Sequence, residues 1–339
     1  YLYMEAISNL RKKRLIKYMI GLLCLIIIGI LIGLVTVFVL SIRPPERGSS
    51  DNFYQHDNEN ITEVVSNNKE PNSTSAVTKK ENEVYTFLVA GKDAIADNTD
   101  IIMLVIFDVT DKKIKILHIP RDTMIDTERK IKKINACYYA EGIEEFKRNV
   151  TNMTGFSIDK YFIFNIEGVE KIIDAIGGVE FYVPRNLYYK DPTQNLYINF
   201  KKGQQHLTGA QTVKLARYRN SYKNGDIGRI EMQQKLLKAL AEQALKYENI
   251  IKIPEIASII LDNVETDISL GSIIWLANQV KDIKISDIDM FIVPGREANI
   301  DSVSYWLPDK DEFLNLINNE INPFSSPVAE EDISTVLYP

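Results

Sequence analysis

The most constraining feature of this chain is residues 19–42, MIGLLCLIIIGILIGLVTVFVLSI, an apolar run that no charge interrupts. About 20 apolar residues suffice for a helix to cross the hydrocarbon core of a bilayer. Arg11, Lys12, Lys13, Arg14 and Lys17 precede the run, and only Arg43 and Arg47 follow closely. The positive-inside asymmetry predicts residues 1–18 as a cytoplasmic tail, 19–42 as a single-pass signal anchor, and the rest of the chain outside the cell membrane. A cleaved signal peptide would have a shorter apolar core ending at a small-x-small site, and VFVLSIRPP offers none.

Residues 43–82 are rich in Asn, Ser, Glu and Pro and poor in large apolar side chains. Such a segment buries too little surface to offset the entropy of ordering, so it reads as a flexible extracytoplasmic linker. From residue 83 the pattern changes. VYTFLVA (84–90), IIMLVIF (101–107), KIKILHI (113–119), KYFIFNI (160–166) and VEFYVP (179–184) have the length and β-branched content of buried strands. Between them IEEFKRNVTNM (143–153) and GVEKIIDAI (168–176) have helical spacing, the latter ended by Gly177-Gly178. Thr208 and Gln211 have capping-box spacing, predicting a helix from Thr208 towards Ala216. A longer helix follows, with Asp226 as its N-cap and Ile230, Leu237, Ala241 and Leu245 as its buried stripe. Two further helices are expected within 255–264 and 273–283, followed by a strand at 289–295 and then SYWLPDKDEFLNLINNEI (304–321). Strands alternating with helices indicate an α/β layered domain over 83–325, leaving 326–339 as a tail.

The net charge of −6 disfavours a nucleic-acid partner. Cys24 and Cys137 form no CxxC pair, which argues against a zinc site. A Walker motif and a GxSxG elbow are both missing. Polar constellations instead stand at strand ends: Gly91-Lys92-Asp93, Asp97-Asn98-Thr99-Asp100 and Pro120-Arg121-Asp122-Thr123. A fourth, RYRNSYKNGDIGR (217–229), lies between two helices. If residues 217–219 are extended, Arg217 and Arg219 point the same way. Carboxylates suit Mg²⁺ or Mn²⁺, arginines suit phosphate oxygens, and phosphoryl transfer uses both.

FLVAGKD, NTDIIMLVIFD, ILHIPRDT, KKINACYYAEG, AIGGVEFYVP and GQQHLTGAQTVKLARYR, followed by Asp226-x-x-Arg229 and Gln233, together resemble the LytR-CpsA-Psr (LCP) family of Gram-positive bacteria. The resemblance implies an αβα sandwich around a central mixed sheet, preceded by one transmembrane helix. It implies a phosphotransferase that moves a glycopolymer, such as teichoic acid or capsule, from a polyprenyl-pyrophosphate carrier to a peptidoglycan hydroxyl. Arg121, Arg217, Arg219 and Arg229 match the family's pyrophosphate-gripping arginines, and Lys92 is a further phosphate contact. Asp93 and Asp100 match its Mg²⁺-binding aspartates. Asp226 matches another active-site carboxylate, metal-associated or a general-base candidate, and Arg121 and Asp122 complete the expected catalytic set. The chain departs from the family at Asn98, where an arginine is usual, and at Ile101, where a threonine is usual. Lys132 and Lys133 read as a solvated basic loop or as part of the phosphate side. Two other readings use the same residues: a lipid-pyrophosphate pyrophosphatase, and a non-catalytic membrane-anchored binding or regulatory protein.

Overall fold

The structure is a computed structural model that describes residues 36–47, 83–92, 98–192, 196–218 and 225–333, without the side chain of Asp226. Asp93, Arg219, residues 19–35 of the apolar run, residues 48–82 of the linker segment and the tail beyond 333 lie outside the described residues. A helical segment, α1 (36–41), is the described part of the apolar run. Among the described residues, no helix is long and apolar enough to cross a membrane.

Three strands open the domain, β1 (Val84–Lys92), β2 (Thr99–Asp108) and β3 (Lys113–His118). Helix α2 (Cys137–Thr154), β4 (Lys160–Phe164) and α3 (Ile166–Ala175) follow. Next comes a ribbon of two successive two-stranded ladders, β5 (Val179–Val183) paired with β8 (Gly203–Leu207) and, beyond it, β6 (Leu187–Asp191) paired with β7 (Leu196–Phe200). Helices α4 (Gly209–Ala216), α5 (Gly225–Ala244), α6 (Tyr247–Ile250) and α7 (Ile253–Asn263) lead to β9 (Val264–Thr266) and α8 (Leu270–Val280). Then come β10 (Ile288–Ile292), the hairpin β11 (Gly295–Ile300) and β12 (Val303–Pro308), and α9 (Lys310–Leu316), which runs on into a π-helical turn, Ile317–Ile321, before a last 3-10 turn at Glu330–Asp332.

The central sheet has the order β10-β3-β2-β1-β4-β9. It is mixed: β1 pairs antiparallel with β2 and parallel with β4, and β3 pairs antiparallel with β2 and parallel with β10. Side chains alternate across a strand, and here both faces are apolar. Val84, Leu88 and Ala90 of β1 share a core with Phe146, Val150 and Met153 of α2 and Phe313 of α9. Tyr85 and Phe87 face the opposite core, with Ala257 of α7 and Ile273 and Ile274 of α8. Helices therefore cover both faces, giving the αβα sandwich. Burying one such Leu, Ile or Phe fully contributes roughly 1.5–3 kcal/mol, which is why these strands read as unbroken apolar runs.

The ribbon forms a third core, packing Phe181, Leu187, Ile198 and Phe200 onto Leu215, Met232 and Leu236. Residues 185–200 had suggested no element in the sequence. Their outward faces carry exposed Tyr188 and Tyr197, so the apolar–polar contrast of a half-buried strand is blurred. Helix α5 also differs from expectation. Ile230, Met232 and Leu236 are its deepest apolar side chains, while Leu237, Ala241 and Leu245 are only partly buried. The helix is wedged between cores, with Met232 and Leu236 in one and Ala241 against another, so no single narrow stripe describes it.

Candidate active site

The site forms where strand ends meet the ends of α4 and α5. On the strand side, the β1–β2 ladder shifts register between Gly91 and Lys92, so Lys92 pairs with Thr99. The shift brings Lys92 and Asp100 to one cavity wall. The Lys92 ammonium sits 5.7 Å from the centre of the Tyr138 ring. The loop after β3 is a turn closed by Thr123, whose amide and Oγ1 both donate to the Pro120 carbonyl, at 2.9 and 2.6 Å. It is pinned from behind by β12: the Trp306 amide donates to the Asp122 carbonyl and the Met124 amide to the Trp306 carbonyl.

That turn presents a string of alternating charges. Lys133 Nζ is 2.9 Å from Asp122 Oδ1. Asp122 Oδ2 is 3.9 Å from Arg121 Nε. Arg121 Nη1 donates to Asp100 Oδ1 at 2.6 Å. All four side chains are only about one-fifth to one-quarter exposed, so these pairs are less screened than surface pairs. Lys133 is thus not part of a solvated basic loop. It faces Asp122 and lies 5.9 Å from the centre of the Tyr305 ring.

The helix side is built differently. Helix α4 starts with the predicted capping box, Thr208 accepting from the Gln211 amide and Gln211 accepting from the Thr208 amide. Its first residue, Gly209, lies so close to α3 that a Cβ there would stand 2.1 Å from the Glu170 carbonyl oxygen. The Gly209 amide donates to Asp174 Oδ1 at 2.7 Å. So seated, α4 ends at Arg217, which is its C-cap in right-handed helical conformation. Arg217 is therefore not extended, and the alternation argument for Arg217 and Arg219 does not apply. Helix α5 begins at Gly225, which puts Asp226 in its first turn rather than at the cap. One turn on, Arg229 is 3% exposed and its Nη2 donates to the Asp100 carbonyl at 3.5 Å. Gln233 Nε2 donates to the Ala216 carbonyl at 3.1 Å, tying α5 to the last turn of α4.

Between the two sides lies a cavity of about 90 Å³. Its polar lining comes from Lys92, Asp100, Arg217, Arg229 and Gln233, and its apolar lining includes Phe164, Ile166, Val169 and Val213. The structure thus gathers Lys92, Asp100, Arg217 and Arg229 at one cavity. Arg121 reaches it through Asp100, and Asp122 stands behind Arg121, outside the lining. Asn165, a residue that sequence reasoning missed, also lines the cavity and caps α3 by accepting from the Gly168 amide at 2.7 Å. Its signal was an Asn immediately before a helical pattern. Asp100 offers hard oxygen donors beside phosphate-type cations, which suits an ion that takes one or two carboxylates and completes its shell with substrate oxygens and water. Among the described residues, no three His, Cys, Asp or Glu side chains converge as a metal cage.

Two titratable groups, His118 and Cys137, are buried outside the cavity lining. His118 ends β3, three residues before Arg121, and burial pushes it down to about 4, so it is a neutral imidazole at physiological pH. Cys137, at the start of α2, is pushed up to about 12 by burial and by its hydrogen bond to Glu141, leaving an unreactive thiol.

Comparison with known proteins agrees with this geometry. The chain is 30% identical over 259 residues to the polyisoprenyl-teichoic acid–peptidoglycan teichoic acid transferase TagV of Bacillus subtilis, covering 73% of this chain and 66% of the relative. It is 31% identical to the regulatory protein MsrR of Staphylococcus aureus, over 56% of this chain and 58% of that one. The matches thus span less than two thirds of these relatives' own lengths. The crystal structure of B. subtilis TagV superposes with a TM-score of 0.61 at 29% identity, covering 70% of this chain and 96% of that one. The sequence profile of the LytR_cpsA_psr family matches residues 51–322, and the chain belongs to that family.

Proposed function

We propose that this protein is a membrane-anchored, extracytoplasmic phosphotransferase that moves a glycopolymer from a polyprenyl-pyrophosphate carrier to peptidoglycan. The observation that carries the reading is one cavity lined both by Lys92, Arg217 and Arg229, beside Asp100, and by the apolar Phe164, Ile166, Val169 and Val213. That pairing fits a pyrophosphate headgroup attached to a lipid. Similarity to a relative named as a teichoic acid transferase supports the same substrate class.

In this reading Arg217, Arg219, Arg229 and Lys92 grip the pyrophosphate, and Arg121 approaches it through Asp100. A hydroxyl oxygen of the acceptor sugar attacks the polymer-side phosphorus. A new P–O bond forms, the bond to the bridging oxygen breaks, and polyprenyl monophosphate leaves. The hydroxyl proton passes to a carboxylate, for which Asp226 in the first turn of α5 is the candidate. The arginine forks stabilise the negative charge that grows on the departing phosphate, in a site where low dielectric magnifies their effect. Asp100 and Asp93 would hold Mg²⁺, or Mn²⁺, which supplies further charge neutralisation at the phosphates. The run 19–42 would keep the domain beside a donor confined to the bilayer.

The test is a transfer assay with the full chain, a polyprenyl-pyrophosphate oligosaccharide, nascent peptidoglycan and Mg²⁺, with Arg219→Ala and Asp100→Ala alongside. Polymer–peptidoglycan product that needs the metal and both side chains is expected. Release of phosphorylated polymer into water without linkage would make the protein a pyrophosphatase. Donor binding that needs Arg219 but yields no product would favour a regulatory binding protein, a reading supported by the likeness to MsrR.

A further inference from the structure

The strongest feature outside the site is the packing of residues 41–47 against the sandwich. Ile42 packs against the core formed by β1, α7 and α8, and Pro45 is buried. Gly271, in the first turn of α8, makes this approach possible. A Cβ there would stand 1.9 Å from the Ser41 carbonyl oxygen and 3.2 Å from the Ile42 amide nitrogen, so any larger residue would expel the segment. Farther along, the Arg47 guanidinium sits 5.2 Å from the centre of the Tyr85 ring, whose hydroxyl donates to Glu83 at 2.8 Å. The ring is 2% exposed and contacts Trp275 of α8 edge-on, with centroids 5.8 Å apart. A backbone groove shaped around another backbone, an inserted apolar side chain and a cation over a buried ring are three contacts of different kind along one short segment.

We propose that residues 41–47 are an integral strap of the catalytic domain, docked in the corner between α8 and the start of β1, and that the segment 43–82 is not a spacer between anchor and domain. Arg47 and Glu83, which bracket residues 48–82, both meet Tyr85, so the length of that stretch does not set the distance between the apolar run and the domain. The strap also turns the face bearing the first turn of α8 towards the end of the apolar run. This orientation, unlike the docking, rests on the membrane-anchor reading.

The experiment places nitroxide labels at Arg43→Cys and Ser286→Cys in the full Cys24→Ser chain; the buried Cys137 thiol stays unlabelled. The strap predicts one narrow inter-label distance that is unchanged when about twenty Gly/Ser residues, enough to lengthen a flexible linker substantially, are inserted after residue 65. It predicts a broad distribution in Gly271→Leu. Should that variant fail to fold, Pro45→Gly combined with Arg47→Ala tests the same contacts and should also broaden the distribution. A broad distribution in the parent chain, or one that widens with the insertion, overturns the proposal. Flotation with phosphatidylglycerol vesicles runs in parallel. A chain that does not float removes the orientation and the anchor reading, while the distances still decide the docking.

Discussion

The two sides of the cavity hold their arginines by opposite means. On the strand side Arg121 lies between two carboxylates, Asp100 and Asp122, and Asp122 is itself held by Lys133. On the helix side Arg229 is buried against a main-chain carbonyl, and Arg217 is placed by the end of a capped helix. The carboxylates around Arg121 fix its direction but cancel much of its charge. Arg229 instead lines the cavity itself, whereas Arg121 lies outside its lining. The comparison gives Arg217 and Arg229 direct access to an anion in the cavity and leaves Arg121 to aim Asp100.

The largest effect should therefore fall on Arg229. Arg229→Ala is expected to lower kcat/KM roughly 100- to 1000-fold, the loss typical of removing one preorganised charge-stabilising donor. Arg229→Lys should recover only part of it, because an ammonium cannot reproduce the fork. A loss no larger than that of Arg121→Ala would erase the proposed asymmetry.

His118 gives the strand side a pH signature. Its folded value of about 4 lies below the ordinary imidazole range. Above pH 6.5 neither folded nor unfolded chain holds that proton. As pH falls towards 4 the unfolded chain takes it up first, so stability is lost across that window, by roughly 3 kcal/mol for this group. Urea unfolding at pH 7 and pH 4.5 should show the loss, and His118→Gln should flatten the difference. An unchanged slope in the variant would move the titration elsewhere.

Lys133 should act through Asp122. Lys133→Ala is expected to lower kcat about tenfold with little change in KM. In a double-mutant cycle with Asp122→Asn the two effects should be strongly non-additive. Additive losses would mean that Lys133 touches substrate instead. The smallest effect belongs to Gln233→Ala, which removes the bond to the Ala216 carbonyl and should cost about 1 kcal/mol of stability by urea unfolding.

What the sequence made legible follows from how each element is stabilised. β1, β2 and β3 are buried on both faces, so their runs are apolar from end to end and visible without context. The Thr208 capping box was visible because both partners are three residues apart. Residues 185–200 were not, because exposed tyrosines on their outward face look as apolar as the core. Among the site residues, Lys92, Asp100, Arg121, Arg217 and Arg229 stood out as polar clusters at the ends of apolar segments. The role of Lys133 was hidden because its partner, Asp122, is 11 residues away, brought near only by the turn that Thr123 closes and β12 pins. The end of α4 at Ala216 was legible too, but the right-handed helical backbone of its C-cap Arg217 was not, so the condition that 217–219 be extended fails there.

One consequence attaches to β1. The strap meets this strand at Tyr85, and the cavity opens at Gly91 and Lys92. Six residues of extended chain span about 20 Å, and this strand lies in the middle of a sheet covered on both faces. It works as an upright of fixed height. Under the proposed function, and with its foot held at the proposed strap, the cavity end stands about 20 Å above it, so the carrier's own isoprenoid length, rather than any stretching of the protein, would supply the reach between bilayer and reaction.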